Sequence, residues 1–430
     1  QDYPNIRPLL DFNFATEKKL DPRLEYMRAG SGSYVDKFGY IRLVGENEPR
    51  FDHDPITRES KGILLEEERE NRIATSSGPN AFNATGSGTV IHGTLDTKSP
   101  DGKYNASKIT GSSGTNSYSE GTSTTGVWSI FLKAGSSNYV QIQGGGVGMN
   151  NSNVGPYTKN TVVNLSDGSF TVNQQGFTTK QYRDGWWRVS VVYTTGNTYT
   201  GTSWNIYVLD SSSPTADSID NSESCYAWGV GYEVGSFITS YIPTNGGSTT
   251  REKDELVMTG DDLRDVFNDL EGTMFYEASV TNLTNDNQPI VAFRDNQNHT
   301  GNEIPMGFSI GGSNPSIRTW IRSAVTGSTA NSFLIAHSST GIVADKPYKH
   351  MLAFKKDDFA DSYNTGASSG QQTGSSGNMP TAGSIDELRF GQYYAYTSQA
   401  KTYGLDSGHI KRFSYWPQRL TNSQITTYIA

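Results

Sequence analysis

The chain is written in short runs where apolar and polar residues alternate, each closed by a turn rich in Gly, Ser or Asn. Residues 127–133 (VWSIFLK), 138–143 (NYVQIQ), 186–193 (WWRVSVVY), 203–209 (SWNIYVL) and 225–234 (CYAWGVGYEV) form one set. A second set comes later, at 272–280 (GTMFYEASV), 348–355 (YKHMLAFK), 386–391 (DELRFG) and 409–416 (HIKRFSYW). A period of two sends alternate side chains to opposite faces of a strand, so each run can bury one face. Many short strands joined by regular turns build antiparallel sandwiches or barrels. The expected fold class is all-β: two tandem antiparallel jelly-roll sandwiches preceded by an extended N-terminal arm.

Length sets the number of cores. A single hydrophobic core stops growing near roughly 250–300 residues, so 430 residues imply two or three domains. The hydrophobic share of 34% is low, but 24 Tyr, 18 Phe and 7 Trp supply enough bulky apolar area to order several sheets. Residues 1–78 are dense in Arg, Glu, Asp and Pro, whereas Gly, Ser, Thr and Asn dominate the remainder of the chain. The expected partition is a charged docking arm at 1–78, a first sandwich at 79–255 and a second at 256–430. Within the arm, LLDFNFA and YIRLV read as strands and DHDP as a bend, while ILLEEERENR fits either a short helix or a strand. The chain ends in a short helix, with Thr421 or Asn422 as N-cap and Ile425 and Ile429 on one face.

Charge and cysteine usage narrow the function classes. A formal net charge of −9 argues against nucleic acid or an anionic membrane as partner, because neutralising phosphates takes clustered Lys and Arg. One cysteine, Cys225, excludes an intrachain disulfide framework and a multi-cysteine zinc site, and its apolar neighbours mark it as a buried small hydrophobe. No apolar run approaches the ~18 residues that would cross a bilayer, and QDYPNIRP does not read as a signal peptide.

Four phrases carry a family resemblance. Residues 47–72 (NEPRFDHDPITRESKGILLEEERENR), 233–256 (EVGSFITSYIPTNGGSTTREKDEL), 349–366 (KHMLAFKKDDFADSYNTG) and 408–430 (GHIKRFSYWPQRLTNSQITTYIA) resemble phrases of bacteriophage virion proteins. These are chiefly tail-fibre and particle-surface proteins with concanavalin-A/laminin-G-like modules. The resemblance implies a virion appendage that attaches through its N-terminal part to other virion proteins. It also implies that the sandwiches recognise host cell-surface polysaccharide, that the chain forms a homotrimer, and that it acts at the virion surface. A capsid-decorating or connector protein without sugar binding is the alternative, and a depolymerase ranks below both.

The residues offer little for catalysis. Cutting a glycosidic bond takes two carboxylates about 5–5.5 Å apart for retention or ~6.5–9.5 Å for inversion. The Glu-x-Asp-x-x-Glu spacing of concanavalin-like glucanases is absent, and Asp261 with Asp262, or Asp357 with Asp358, are sequence neighbours that face opposite ways on a strand. Glu66, Glu68 and Glu70 stand among Arg69 and Arg72 and read as a salt-bridged surface. No Gly-x-Ser-x-Gly elbow occurs, and the six histidines contain no i, i+4 pair; His350 and His409 read as packed or hydrogen-bonded strand residues. No enzymatic activity, catalytic residue, cofactor or metal ligand is expected.

Glycan recognition asks for aromatic faces to stack on sugar rings and amide or carboxylate groups to read hydroxyls, carried on loops above a rigid sheet. Tyr393, Tyr394, Tyr396 and Tyr403 with Gln392, Gln399 and Asp406 have that chemistry, as do Asp295, Asn296, Asn298 and His299. Tyrosine-rich loops also form subunit contacts, so the same residues are interface candidates. Trp186 and Trp187 are adjacent on one run, which sends one to the core and the other to the opposite face, where a neighbouring subunit could cover it.

Overall fold

The computed structural model describes residues 6–115, 125–145, 161–173, 176–194, 203–212, 215, 218–282, 287–296, 301–309, 315–323, 331–337, 342–366, 369–395 and 401–430. It consists of two β-sandwiches, and the strands in both pair antiparallel. The first sandwich faces one sheet, ordered Thr178–Tyr182, Trp186–Thr194, Thr125–Ala134, Ser224–Val234, Ser107–Thr110, Thr89–His92, against another. That second sheet runs Phe170–Asn173, Thr161–Asn164, Tyr139–Gly145, Ser203–Val208, Ser112–Thr115, Phe82–Ala84. Between them Trp128 stacks on Trp204 at 4.6 Å between ring centroids, with Phe177 edge-on to both. Offset and edge-to-face aromatic pairs of this kind add about 0.5–1.5 kcal/mol beyond the area they bury.

The other sandwich draws its strands from both ends of the chain. One sheet runs Ser369–Gly374, Asp358–Asn364, Tyr348–Lys355, Glu271–Val280, Ser407–Trp416, Ser60–Glu66, Phe51–His53, and Leu10–Phe12 also pairs with Ser407–Trp416. The facing sheet is Glu25–Met27, Glu255–Thr259, Glu387–Phe390, Asn287–Arg294, Glu303–Ser309, Ser316–Arg322, Asn331–His337. Phe12, Phe390, Phe413, Phe293 and Tyr415 interlock in the core between them.

The segment expected as an extended arm is therefore woven into the sheets. One edge of Ser407–Trp416 would otherwise expose a row of unpaired backbone N–H and C=O groups. Leu10–Phe12 takes residues 413–415 of that edge, and Ser60–Glu66 takes residues 407–410. From there Arg69–Asn71 crosses to pair with Ser224–Val234 and Thr249–Arg251 of the first sandwich, and the chain returns at Glu255–Thr259. The first sandwich is thus an insertion between two parts of the second. A hairpin of Gly32–Val35 with Ile41–Val44 closes the joint, sending Val35 and Ile41 into a second apolar cluster with Phe131, Trp186, Trp228 and Tyr241.

Local details reflect the residues. LLDFNFA is a strand only through Phe12; Asn13 then caps a single helical turn, Phe14–Glu17, by accepting from the Thr16 N–H. ILLEEERENR resolves into strands, Ser60–Glu66 and Arg69–Asn71, with no helix. The alternation at 186–187 separates the two tryptophans as expected. Trp187 packs against the main core of the first sandwich, and Trp186 is buried on the opposite face under the hairpin cluster, within the same chain. Cys225 is fully buried, and burial pushes its thiol up to about 12. The C-terminal helix is Asn422–Ile429, with Thr421 and Gln424 forming a reciprocal capping box and Ile425 and Ile429 buried.

Candidate functional site

Three of the four phrases singled out in the sequence meet in space. In the antiparallel register Ser407 faces Glu66, Gly408 faces Leu65, His409 faces Leu64 and Ile410 faces Ile63, so residues 47–72 and 408–430 lie side by side. The phrase 233–256 supplies Thr239, Ser240, Tyr241, Arg251 and Asp254 to the same region. Where they meet, a buried ionic joint holds the two chain crossings together.

In that joint Glu66 accepts from Arg50 Nη1 at 2.5 Å, from the Ser240 N–H at 2.8 Å and from Ser240 Oγ at 2.6 Å, and Arg251 Nη1 lies 3.1 Å away. Asp254 accepts from the Glu66 N–H at 2.7 Å and from Tyr26 Oη at 2.5 Å, and it pairs with Arg28 and Arg50. All five charged side chains are at most 2% exposed. Burial by itself would raise the Glu66 carboxyl, but Arg251, Arg50 and the Ser240 hydrogen bonds hold it well below the ordinary carboxylate range.

Beside this joint a cleft of about 560 Å³ opens between the sandwiches, within the roughly 300–1,000 Å³ usual for ligand sites. The inserted sandwich contributes Thr178, Thr179, Lys180, Tyr182 and Arg188; the other contributes Thr281, Asp345 and His409; the hairpin and the strands after it add Tyr34, Asp52, His53 and Lys61. Ile410 points into the core, so its neighbour His409 faces the cleft side of the sheet. Nε2–H of His409 donates to Asp52 Oδ2 at 2.7 Å, and the Val35 N–H donates to Asp52 Oδ1 at 2.6 Å. His53 Nδ1–H donates to the Val35 carbonyl at 3.1 Å. Burial, then the Lys61 charge, depress the His409 imidazole against the opposing pull of Asp52. Burial would raise Asp52, but the His409 hydrogen bond, with His409, Lys61 and the Val35 N–H, brings it below its ordinary value. His409 Nδ1 is buried with no hydrogen-bond partner among the described residues.

At the mouth, Asp345 Oδ1 accepts from Lys61 Nζ at 3.1 Å while its Oδ2 lies 3.7 Å from Lys180 Nζ. Asp345 stands in the left-handed region at φ 63°, which Asp tolerates in a turn. Burial would raise its carboxyl, but Lys180, Lys61 and His409 bring it down. Each carboxylate in the cleft is thus held by a cation or a histidine.

The residues picked from sequence sit elsewhere. Gln392–Ala395 and Lys401–Gly404 pair antiparallel, with Tyr393 in register with Tyr403 and Tyr394 with Thr402; Tyr396 and Gln399 lie outside the described residues. The base of this pair is tied to the strand Asn287–Arg294 where the Gly391 N–H donates to the Ile290 carbonyl at 2.9 Å, and the Leu405 N–H closes the base by donating to the Gly391 carbonyl at 2.7 Å. Asp406 is buried and accepts from Asn282 Nδ2 at 2.9 Å. Asp295, also buried, and Asn296 stand just beyond the far end of the strand Asn287–Arg294, where Arg294 donates to Asn296 Oδ1 and the Asn296 N–H donates to Asp386. The backbone of the pair carrying Tyr393, Tyr394 and Tyr403 thus starts beside that strand, Asp406 follows it in the chain, and Asp295 and Asn296 stand beyond the strand's other end. Asn298 and His299 lie outside the described residues.

The cleft residues Lys61, Lys180, Asp345 and the Asp52–His409 pair do not announce a site in the sequence, though Asp52, Lys61 and His409 lie inside two of the four phrases singled out there. That co-location is the one signal the sequence offers for them. His350, read as a packed strand histidine, is indeed buried: its Nε2 lies 2.9 Å from Asp361 and its Nδ1 3.2 Å from Tyr276 Oη, with His337 on the same carboxylate. Glu66, Glu68 and Glu70 share no strand face, since Glu66 lies in the joint and Glu70 pairs with Arg72 at 2.9 Å on the next strand.

No protein-family model and no curated protein matches the chain. Among solved structures, the CBM40 module of Ruminococcus gnavus IT-sialidase, bound to alpha2,3 sialyllactose, is similar at 10% identity and TM-score 0.31, covering 38% of this chain and 84% of that one. The CBM22 tandem of Paenibacillus barcinonensis Xyn10C is similar at 9% identity and TM-score 0.21, covering 80% and 96%. Domains LG4-5 of the mouse laminin alpha1 chain are similar at 10% identity and TM-score 0.21, covering 79% and 88%. At these TM-scores the likenesses carry nothing about the chemistry of the cleft.

Proposed function

We propose that this protein is a bacteriophage-type virion appendage that recognises host-surface glycans and does not cleave them, with the cleft between its two sandwiches as the glycan site. The observation that carries this reading is the cleft itself. Its walls come from both sandwiches, and ammonium, carboxylate, imidazole and hydroxyl groups converge there beside the half-buried Tyr34 ring. Hydroxyl-rich ligands are held by such a mixture of donors, acceptors and aromatic edges on a rigid frame. The hydrogen bonds that hold Asp52 and the ion pairs that hold Glu66 and Asp345 support binding over hydrolysis. Attachment to other virion proteins and a homotrimeric state belong to the same reading and rest on the four matched phrases; trimerisation would repeat a weak site for avidity.

Purified protein incubated with extracted bacterial surface polysaccharide tests this reading. Saturable retention with no new reducing ends is expected. Release of reducing ends would make it a depolymerase, and absence of retention together with stoichiometric capture of virion proteins would make it a connector.

A further inference from the structure

We propose that the glycan taken by this cleft is uncharged, its ring laid against Tyr34 and its hydroxyls met along the open edge of the strand Thr178–Tyr182; the proposal rests on the glycan reading above. Charge balance points this way. The charged side chains that line the cleft are Lys61, Lys180 and Arg188 against Asp52, Glu66 and Asp345, three of each sign. Burial depresses the imidazoles of His53 and His409, which leaves that balance undisturbed at neutral pH.

Each charge is also satisfied locally. Asp345 lies between Lys61 and Lys180, and Glu66 is held by Arg50, Arg251 and Ser240. Arg188 donates to the Thr239 carbonyl at 2.6 Å and faces Glu233 at 3.4 Å. Asp52 accepts from His409 and the Val35 N–H, with Lys61 near enough to help lower its carboxyl. A carboxylated, sulfated or aminated sugar would find no counter-charge left for it, and would either bury a lone charge or break one of these pairs. A sugar that carries hydroxyls alone avoids both.

What remains open in the cleft is uncharged. Tyr34, half-buried on the strand Gly32–Val35, has neither a hydrogen bond on its hydroxyl nor a ring or cation partner on its face among the described residues. The Tyr182 hydroxyl is likewise without a hydrogen bond among them, while its ring is fixed edge-on to Phe131 at 5.0 Å. Thr178–Tyr182 ends its sheet, so the backbone groups on its far side have no strand to pair with. Successive side chains of a strand alternate between faces, yet Thr178, Thr179 and Lys180 all line the cleft, so the strand turns its backbone edge toward it. An aromatic face for the C–H surface of a sugar and a row of neutral N–H and C=O groups for its hydroxyls suit an uncharged glycan.

Calorimetric titration tests the proposal with three pairs of fragments: oligogalacturonate beside its carboxyl-reduced form, dextran sulfate beside dextran, and chitosan beside its N-acetylated form. The tightest binder is expected to be a neutral member, with an affinity that changes less than about twofold between roughly 0.05 and 0.5 M NaCl, because the ligand has no charge for salt to screen. Tyr34→Ala, with an unchanged melting temperature, is expected to weaken that binding about tenfold or more, and to weaken it more than Tyr34→Phe, which keeps the ring. Tighter binding of a charged member, falling as salt rises, would overturn the uncharged assignment and leave glycan recognition standing. No binding by any probe, charged or neutral, would overturn both. Neutral binding untouched by Tyr34→Ala would overturn the placement of the ring on Tyr34.

Discussion

At the scale of single residues, the molecule depends most on charges that do not face water. Arg28, Arg50, Arg251, Glu66 and Asp254 are buried together where the chain passes from one sandwich to the other and back. Removing one partner of such a group strands a charge in a low-dielectric site, at a cost of about 3–5 kcal/mol. Asp254→Ala should lose that much in denaturant unfolding, whereas Asp261→Ala, on an exposed turn, should lose under about 1 kcal/mol. Acid should act through the same carboxylates. Glu66 is held low by Arg251 and Arg50, and Asp361 by His350 and His337, each against its own burial. A depressed carboxyl contributes its full stability above its unfolded value, near ~4.3 for Glu and ~3.9 for Asp, and loses it as pH falls through the folded value. The melting temperature should therefore fall as pH drops below about 4.5, with a shallower acid slope in Glu66→Gln; a rise on acidification would contradict it.

At the scale of elements, strand content was legible and strand partners were not. Runs such as VWSIFLK and HIKRFSYW announce themselves by alternation, and the helix at 422–429 by its cap and two isoleucines. Alternation says which face is buried but not against what, so nothing local told Leu10–Phe12 to seek residues more than 400 positions away. ILLEEERENR was ambiguous because nine or ten residues can satisfy either period. Gly62 decides it: at φ 89° the strand passes so close to the Ile410 carbonyl that a Cβ would collide with backbone. Gly62→Ala should cost about 1–3 kcal/mol and selectively unprotect amides of residues 407–410 to hydrogen exchange. Equal exchange in both proteins would show that the register does not need that approach.

At the scale of the whole molecule, composition pointed to an arm at 1–78 because charged residues ordinarily mark solvated surface. Here they pair with one another inside the joint, and the same segment completes both sheets of the C-terminal sandwich. Residues 256–430 expressed alone should therefore show no cooperative unfolding transition, and a separate chain spanning residues 1–73 should restore one. The candidate site was hidden for the same reason: Lys61, Lys180, Asp345 and His409 come from distant parts of the sequence, and only the nesting of one sandwich within the other brings them to one cleft. The tyrosine hairpin at 392–404 was visible because its residues are neighbours in sequence. Hydrogen exchange with and without a retained host polysaccharide distinguishes the two most directly. Slowed exchange is predicted at residues 52–61, 178–182 and 407–410; slowing confined to the hairpin, or none at all, would contradict a glycan site between the sandwiches.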